Sequence, residues 1–463
     1  NFQRMISLNT ANGTQYWAPV ATNAPVQGWL TWLPVGFQNR QNITVTAGAA
    51  AVPTDYSVSV TFDHASMVAA GKSRADGGDV RVRYWNGASW VHLDRVLDEG
   101  SAWNTATTRI WFKTQAAISA AGTDANYYLY YGNPDAGSPP ANPNNVYLFY
   151  DDFSWSDALA NHGWTAQIAT WSAAGGVMTG SGTAASSGAL SHSAATADAV
   201  IEARARGRAD VCTDCRQIGV GLRLSAGGAG FIAFPNDQGS TTLTLDNFSA
   251  WGTWVAYLGT FSQTLTADPW YRVKFQAIGT TLNTKTWQDG TAEPGWQVSI
   301  TDATYASGTQ IALYSGWTSP KHSEFDWVKV RKAINPEPST ALAVEVALSG
   351  ESVIGADQGT GAPDTGRVYS VDRTFGLPDW QVTLTGADGI QAAVAAQLRR
   401  WSDAAFQAAY GDDVLFVPTR NASSTNNKLF ALRMTDGTVL WTFNGSGTSN
   451  VDYIVGMPAV DYV

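Results

Sequence analysis

Charge is what this sequence has least of. Asp, Glu, Lys and Arg make up 14% of its 463 residues, against about a quarter in ordinary globular chains. The 28 basic and 38 acidic residues leave a net charge of −10. No basic stretch is long enough to track a phosphate backbone, which argues against a nucleic-acid partner. No apolar run approaches the ~18 residues of a membrane span, so membrane insertion is not expected. Cysteine is nearly missing, with two residues in all, Cys212 and Cys215. The chain does not open on Met or on a charged-then-apolar signal segment, as expected of a mature or excised portion of a longer protein. Helical periodicity is scarce as well.

What replaces charge is Ser, Thr, Asn, Gln and 45 glycines, together with 20 tryptophans. Many short strands joined by many turns need this composition, and sandwiches and propellers are built that way. Apolar residues at 44% are enough for real cores, and the length suits about three domains. The fold class expected is all-β: two antiparallel β-sandwich domains followed by partial β-propeller blades.

Residues 1–40 read as an N-terminal extended segment, with Trp17, Trp29, Trp32 and Phe37 among prolines and glycines packing on a neighbour. From 41 to 146 the period-2 signal of a sandwich is clear. Tyr56, Val58, Val60 and Phe62 alternate with Ser57, Ser59, Thr61 and Asp63, which sets one face in a core and the other in water. Val80, Val82 and Tyr84 alternate with Arg81 and Arg83, and Asn86-Gly87 offers a hairpin turn into Trp90–Leu93. Tyr127–Tyr131 forms an aromatic strand, and the Pro- and Asn-rich stretch 133–145 reads as a linker. In 147–332 the alternation continues: Ile201, Ala203 and Ala205 against Glu202, Arg204 and Arg206, then Tyr271, Val273 and Phe275 against Arg272 and Lys274. An antiparallel double sheet is expected. Residues 333–344 read as a second linker, around Pro336-Glu337-Pro338.

The tail, 345–463, holds an internal repeat. Arg367-Val368-Tyr369-Ser370-Val371 leads to Gly376 and Trp380, and Lys428-Leu429-Phe430-Ala431-Leu432 leads to Gly437 and Trp441, at a constant offset of 61 residues. A strand, a turn at Gly and a strand opening on Trp is a blade hairpin. Ile390–Tyr410 between the copies reads as a strand and a short helix, or as a helix alone. Gly456–Val460 looks like the start of another copy.

Three resemblances attach to these motifs. Asp79-Val80-Arg81-Val82, Ile110-Trp111-Phe112-Lys113 and the Tyr-Tyr-Gly-Asn-Pro ending at 130–134 resemble a bacterial surface-protein domain of unknown function. The Asp151-Asp152-Phe153 opening, Trp270–Val273, the Asp289-Gly290 turn and Phe325-Asp326-Trp327 resemble concanavalin-like jelly rolls of the laminin-G type. The tail resembles the quinoprotein-type propeller repeat; Asp372 fits its pattern and Arg433 departs from it. These likenesses imply β-sandwiches and blades and supply no chemistry.

Each candidate for chemistry has a plainer reading beside it. Gly71-Lys72-Ser73 mimics the end of a phosphate loop, but Ser66 stands where its first Gly belongs, so a polar loop is expected. Glu324-x-Asp326 resembles the strand of lectin-fold glycosidases, yet Lys329 occupies the place of the further carboxylate, and retaining hydrolysis needs a pair. Cys212-x-x-Cys215 is followed by Arg216 rather than a haem-attaching His, has no second pair for zinc and lies in no βαβ unit; a local disulfide is the reading taken. The five histidines are dispersed. Asp151-Asp152 and Asp76/Asp79 carry oxygen ligands that would suit calcium, without EF-hand spacing; turn carboxylates are expected, and no other cofactor. Trp251, Trp254, Trp296 and Trp317 fall in turn-rich stretches of the central region. Exposed, they would stack on sugars or form an assembly interface; buried, they are core, the commoner fate.

The leading expectation is a non-enzymatic extracellular protein of the bacterial surface, serving adhesion or filament assembly, with other subunits or downstream chain as partners. A lectin-like carbohydrate receptor is the alternative, and a fragment of a quinoprotein-related enzyme a second one.

Overall fold

The computed structural model describes strands at 4–5, 20–21 and 31–33, then residues 36–463. Within the latter it leaves out 88–89, 135, 183–187, 195, 211–216, 237–241, 264, 317–320, 349–351, 358–365, 373–377, 385–389, 391–393, 400–401, 420–426, 447–448, 451–457 and 459–463. The fold is all-β, built of antiparallel sheets.

Alternating apolar residues build the first sandwich. Tyr56, Val58, Val60 and Phe62 are all buried, as their spacing requires. Strand Ser57–Phe62 pairs with Thr108–Lys113, which also pairs with Val96–Leu97. The facing sheet runs in the order Ser339–Leu342, Asn39–Thr46, Thr123–Tyr131, Arg81–Trp85, Trp90–Leu93. Ile43, Val45, Val82, Ile110, Phe112 and Leu129 close the core between the two layers. Trp85 and Trp90 face each other across the hairpin begun by Asn86-Gly87.

Three expectations for this region are corrected. Residues 333–344 are not a slack linker: Ser339–Leu342 pairs in register with Asn39–Thr46, and Val346–Ala347 pairs further along the same strand. The 133–145 stretch is packed in part, with Asn133 and Ala136 buried and the Pro140 carbonyl accepting from Arg95 N at 3.0 Å. Arg81 and Arg83, placed by alternation on a watered face, are each 2% exposed, because another part of the chain covers that face. Arg83 lies over the rings of Phe37 and Tyr130 at 4.9 and 4.6 Å and faces Asp379 of the tail at 3.7 Å.

The central region stacks an eight-stranded sheet on a seven-stranded one. Ile201, Ala203, Ala205, Val273, Phe275, Val328 and Val330 point from the larger sheet into the shared core; Leu222, Phe231, Leu243, Leu245 and Leu313 answer from the smaller. Asp151 fixes the entrance, accepting from Trp155 Nε1 at 3.0 Å and Trp164 Nε1 at 2.8 Å.

The tail forms two four-stranded sheets. One runs Ala395–Gln397, Val414–Pro418, Leu429–Arg433, Val439–Phe443; the other runs Thr31–Leu33, Ser352–Asp357, Arg367–Asp372, Pro378–Thr383. The last three strands of each follow the 61-residue offset. The first strand of the second sheet comes instead from the N-terminal segment, because the chain just before Ser352 is committed to the first sandwich. Helix Ala404–Tyr410, capped by the Asp403 side chain at 2.7 Å from Phe406 N, follows Ala395–Gln397. Both sheets share a core of Ile354, Val368, Trp380, Leu415, Phe430 and Leu432. The Trp380 indole donates to Met434 O at 2.6 Å and lies so close to Gly437, whose φ is +75°, that any side chain there would collide with it. The blade pattern expects the apolar residues Val368, Val371, Leu429, Leu432, Trp380 and Trp441 to be buried, and Val368, Val371, Trp380 and Leu432 are. Leu429 and Trp441 are only half-buried.

Candidate functional site

Strands of the larger central sheet alternate apolar and charged residues. Their apolar side fills the core, so their charged side must face outward. Glu202, Arg204 and Arg206 project there from Ala199–Gly207, Arg272 and Lys274 from Tyr271–Ile278, Lys285 from Thr281–Gln288, and Glu324, Asp326, Lys329 and Arg331 from the 321–332 strand. Ten charged residues of a charge-poor chain are thus gathered on one face.

The first sandwich sits on the face and makes it the floor of a cleft. Asp98 and Glu99, on the loop after Val96–Leu97, and Arg109 and Trp111, on Thr108–Lys113, form the roof. The cleft has two adjoining parts, of about 580 and 250 Å³, that share Arg109, Arg272 and Glu293. Lys329 is clamped between Glu99 of the roof and Glu202 of the floor. The Tyr56 hydroxyl approaches Arg331 Nη1 at 3.4 Å, and Arg331 pairs with Glu337 at 2.5 Å. Arg272 links Glu202 at 3.3 Å and Asp289 at 2.8 Å. Lys274 and Lys285 both reach Glu293, at 2.6 and 2.9 Å.

These contacts set the charge states. Burial by itself would raise the Glu202 carboxyl, but Lys274, Lys329 and Arg272 outweigh it and hold it down at about 2. Asp98 is likewise pressed below the usual carboxylate range: burial opposes this, and Lys329, Arg109 and the Trp111 indole prevail. Burial disfavours the Lys329 cation, yet Glu202 and Glu99 raise its pKa far above that of an ordinary lysine. Glu202, Asp98 and Lys329 are therefore all charged at neutral pH. Six carboxylates and five cations line its two parts, so its net charge is close to zero.

Aromatic rings run through this lattice. Trp287 lies under Lys274 and Lys285 at 5.6 and 6.0 Å. Trp296, 39% exposed, stands at the rim with Lys285 4.4 Å from its ring centre. The hydroxyls of Ser101, Thr105, Thr107 and Thr291 complete the wider part.

Of the four tryptophans singled out from sequence, Trp296 lines this cleft; Lys329, noted there only for replacing a carboxylate, sits in it as well. Trp251 is half-buried, donating to Ala226 O at 2.9 Å. Trp254 lies not in a turn but in strand Thr253–Ser262, 4.9 Å from Tyr257 between ring centres. Trp317, Cys212 and Cys215 lie outside the described residues. Glu324 and Asp326 share the outward face, each bound by arginine: Arg206 to Glu324 at 2.6 Å and Arg204 to Asp326 at 2.9 Å. Lys72 pairs with Glu345 and Ser73 donates to Asp79 at 2.9 Å, so this loop is engaged with its own chain. Asp76 caps Gly78 N at 2.8 Å and Asp79 also accepts from Gly132 N at 2.8 Å, as turn carboxylates do. Among the described residues no three His, Cys, Asp or Glu side chains converge as a metal site, and no helix is long and apolar enough to cross a membrane. Glu202, Arg272 and Asp289, named from sequence only as parts of strand and turn patterns, and Lys285, Trp287 and Glu293, not named at all, were missed as site residues. Their signal was the clustering of charge on the polar side of successive strands in a charge-poor chain.

Residues 76–167 match a domain of unknown function (DUF2341). That span runs from the first sandwich into the opening strands of the central one. No curated protein matches the chain. Among solved structures, the carbohydrate-binding module CBM66 from Bacillus subtilis is similar at 16% identity and a TM-score of 0.31, covering 37% of this chain and 96% of its own. A beta-1,3-glucanase from Mycobacterium marinum is similar at 14% identity and 0.30, covering 40% and 98%. The Ca2+-bound exoplasmic/lumenal domain of VIP36 is similar at 11% and 0.31, covering 42% and 97%.

Proposed function

We propose that this is a non-enzymatic, carbohydrate-binding protein of the bacterial surface, and that the cleft between its two sandwiches holds a neutral oligosaccharide. The observation that carries this reading is the cleft itself: about 580 Å³ in its wider part, within the ~300–1,000 Å³ of small-molecule sites, with Trp287, hydroxyls and balanced charge around it. A polyol offers donors to Glu293 and Asp289 and acceptors to Arg109 and Arg272 in one molecule. It does so without disturbing a nearly neutral lattice, whereas a charged polymer would leave one sign uncompensated. A sugar face suits the exposed indole of Trp296 at the rim.

Isothermal titration against a panel of neutral oligosaccharides tests this. Binding weakened about tenfold or more by Trp296→Ala, as loss of a stacked aromatic anchor would bring, is the expected result. No binding across the panel by a folded chain would overturn it.

Hydrolysis is not part of the proposal. Glu324 and Asp326 are tied to arginines, and Lys329 stands where a further carboxylate would be needed. Incubation with β-glucans should release no reducing ends. Release that vanishes on Glu324→Gln would reverse this reading and make the protein a glycosidase. A role in surface assembly is a second reading, favoured by the two repeat sheets of the tail. They would be the start of a propeller-type array whose last strand, with Val439 and Phe443 exposed, is met by further repeats.

A further inference from the structure

The roof of the cleft is built on the loop 98–107, between strands Val96–Leu97 and Thr108–Lys113. Ser101, Ala102, Thr105 and Thr107 of this loop line the wider part. The middle of the loop is tied to its own sandwich. Arg95 lies 4.5 Å from the Trp103 ring centre, and the buried His64 packs on the same ring at 5.1 Å. Asn104 N donates to His64 Nδ1 at 2.9 Å. The near end is a separate turn around Asp98, whose side chain accepts from Gly100 N at 2.9 Å and whose carbonyl accepts from Ser101 N at 2.8 Å. Arg109 at 3.0 Å and the Trp111 indole at 2.5 Å hold the Asp98 carboxylate from the same sandwich.

None of these bonds sets how far the turn stands from the floor. Glu99 does. Among the described residues it makes the one ion pair from the loop to the floor, and its partner is Lys329. The Lys329 side chain borders neither open part of the cleft. The Trp327, Tyr147 and Trp111 ring centres lie 5.1, 5.6 and 5.8 Å from its Nζ, and Glu202 of the floor is 4.0 Å away. A cation enclosed in this way stays with its carboxylates, because leaving them would strand charge out of water. The two sandwiches are also joined further along the same strand, where Arg331 meets the Tyr56 hydroxyl at 3.4 Å and Lys332 donates to Thr54 O at 2.8 Å. Those contacts do not reach the loop. Loss of the Lys329 link would thus release the turn and leave the sandwiches joined.

We propose that Lys329 is a positioning residue for the occupant of the cleft: through Glu99 it fixes the 99–101 turn over the floor, and with it the gap that the ligand fills. Binding groups must be held to within about 0.5 Å by the residues behind them, and Lys329 stands behind this wall. The ligand in this proposal rests on the sugar reading above; the placing of the loop rests on contacts within the protein alone.

Lys329→Met in the full chain tests it, since the change touches no side chain that lines the cleft. Amide exchange without ligand is read first. Gly100 and Ser101 should exchange about tenfold faster than in the unmodified chain, by local opening, with Asn104 unchanged. Unchanged rates at Gly100 and Ser101 would overturn the proposal. So would an equal rise at Asn104, which marks a general loss of stability. Stopped-flow binding of an oligosaccharide that the unmodified chain takes up is read second. Dissociation should be about tenfold faster with association little altered; a folded variant that releases the sugar no faster would overturn the proposal and leave the sugar reading standing. Should the unmodified chain bind no sugar, the sugar reading fails, and the exchange rates alone decide the placing of the loop. If Lys329→Met does not fold, Lys329→Met with Glu99→Gln, which removes both charges of the link, is read in the same way.

Discussion

Lys329 and Asp246 show opposite ways of burying a charge. Lys329 is 4% exposed and shared by Glu99 and Glu202. Lys329→Met leaves the half-buried Glu99 without its cation and the buried Glu202 with Lys274 and Arg272 alone, and the expected loss of stability is about 3 kcal/mol. Adding Glu99→Gln should recover part of it, since groups in one network do not act additively; urea unfolding of the two variants measures this. Asp246 is 4% exposed, its Oδ1 has no hydrogen-bond partner, and burial pushes its carboxyl up to about 7 against a weaker opposing bond from Thr244. A carboxyl with a raised folded pKa binds more protons folded than unfolded. Its stabilising effect is complete below the unfolded value near 3.8 and is lost as pH rises through about 7. At about 1.4 kcal/mol per unit, this one group should make the chain roughly 2–4 kcal/mol less stable at pH 8 than at pH 4. Asp246→Asn should remove that part of the slope in denaturant titrations at the two pH values; an unchanged slope would show that Asp246 is not its source.

At the scale of elements, strand Thr31–Leu33 makes a testable demand. It pairs with Ser352–Ile354, so a chain beginning at residue 36 would leave Ser352–Asp357 as an open edge. Limited proteolysis should then cut between 352 and 383 several-fold faster than in the full chain, with the central sandwich no more sensitive than before. Equal cleavage rates would mean that this strand contributes nothing to the tail. The same strand marks where the sequence stops being readable. Ile201, Ala203 and Ala205, or the 61-residue repeat, are legible because local spacing alone determines which side is apolar. Ser339–Leu342 is not: four residues behind Pro336-Glu337-Pro338 carry no period of their own, and their partner Asn39–Thr46 lies some 300 residues away. Trp254 was misplaced because the Gly, Ser and Thr around it resemble turn composition while in fact lining an uncharged edge. The cleft was hidden for a related reason. Its Asp98, Arg109, Arg272 and Glu293 come from two domains, and no motif spans them.

For the molecule as a whole, the three β units are fastened to one another by long-range strands and buried ion pairs rather than strung on linkers. Residues 345–463 expressed alone lack Thr31–Leu33 and the cover of Arg83 and Phe37, and are expected to aggregate or melt without cooperativity. Residues 147–332 have both sheets and their core within one span and should fold alone; calorimetry of the two fragments separates them, and a monomeric, cooperative tail would refute the dependence. Synthesis of the chain brings a further consequence of these long pairings. At about 5–20 residues per second, roughly 15–65 s pass between the emergence of Thr31–Leu33 and that of Ser352–Asp357. Asn39–Thr46 waits nearly as long for Ser339–Leu342. Through that interval the nascent chain carries unpaired strands at its leading end, and a ribosome that stalls before residue 339 releases a polypeptide with an uncovered side on its first sandwich.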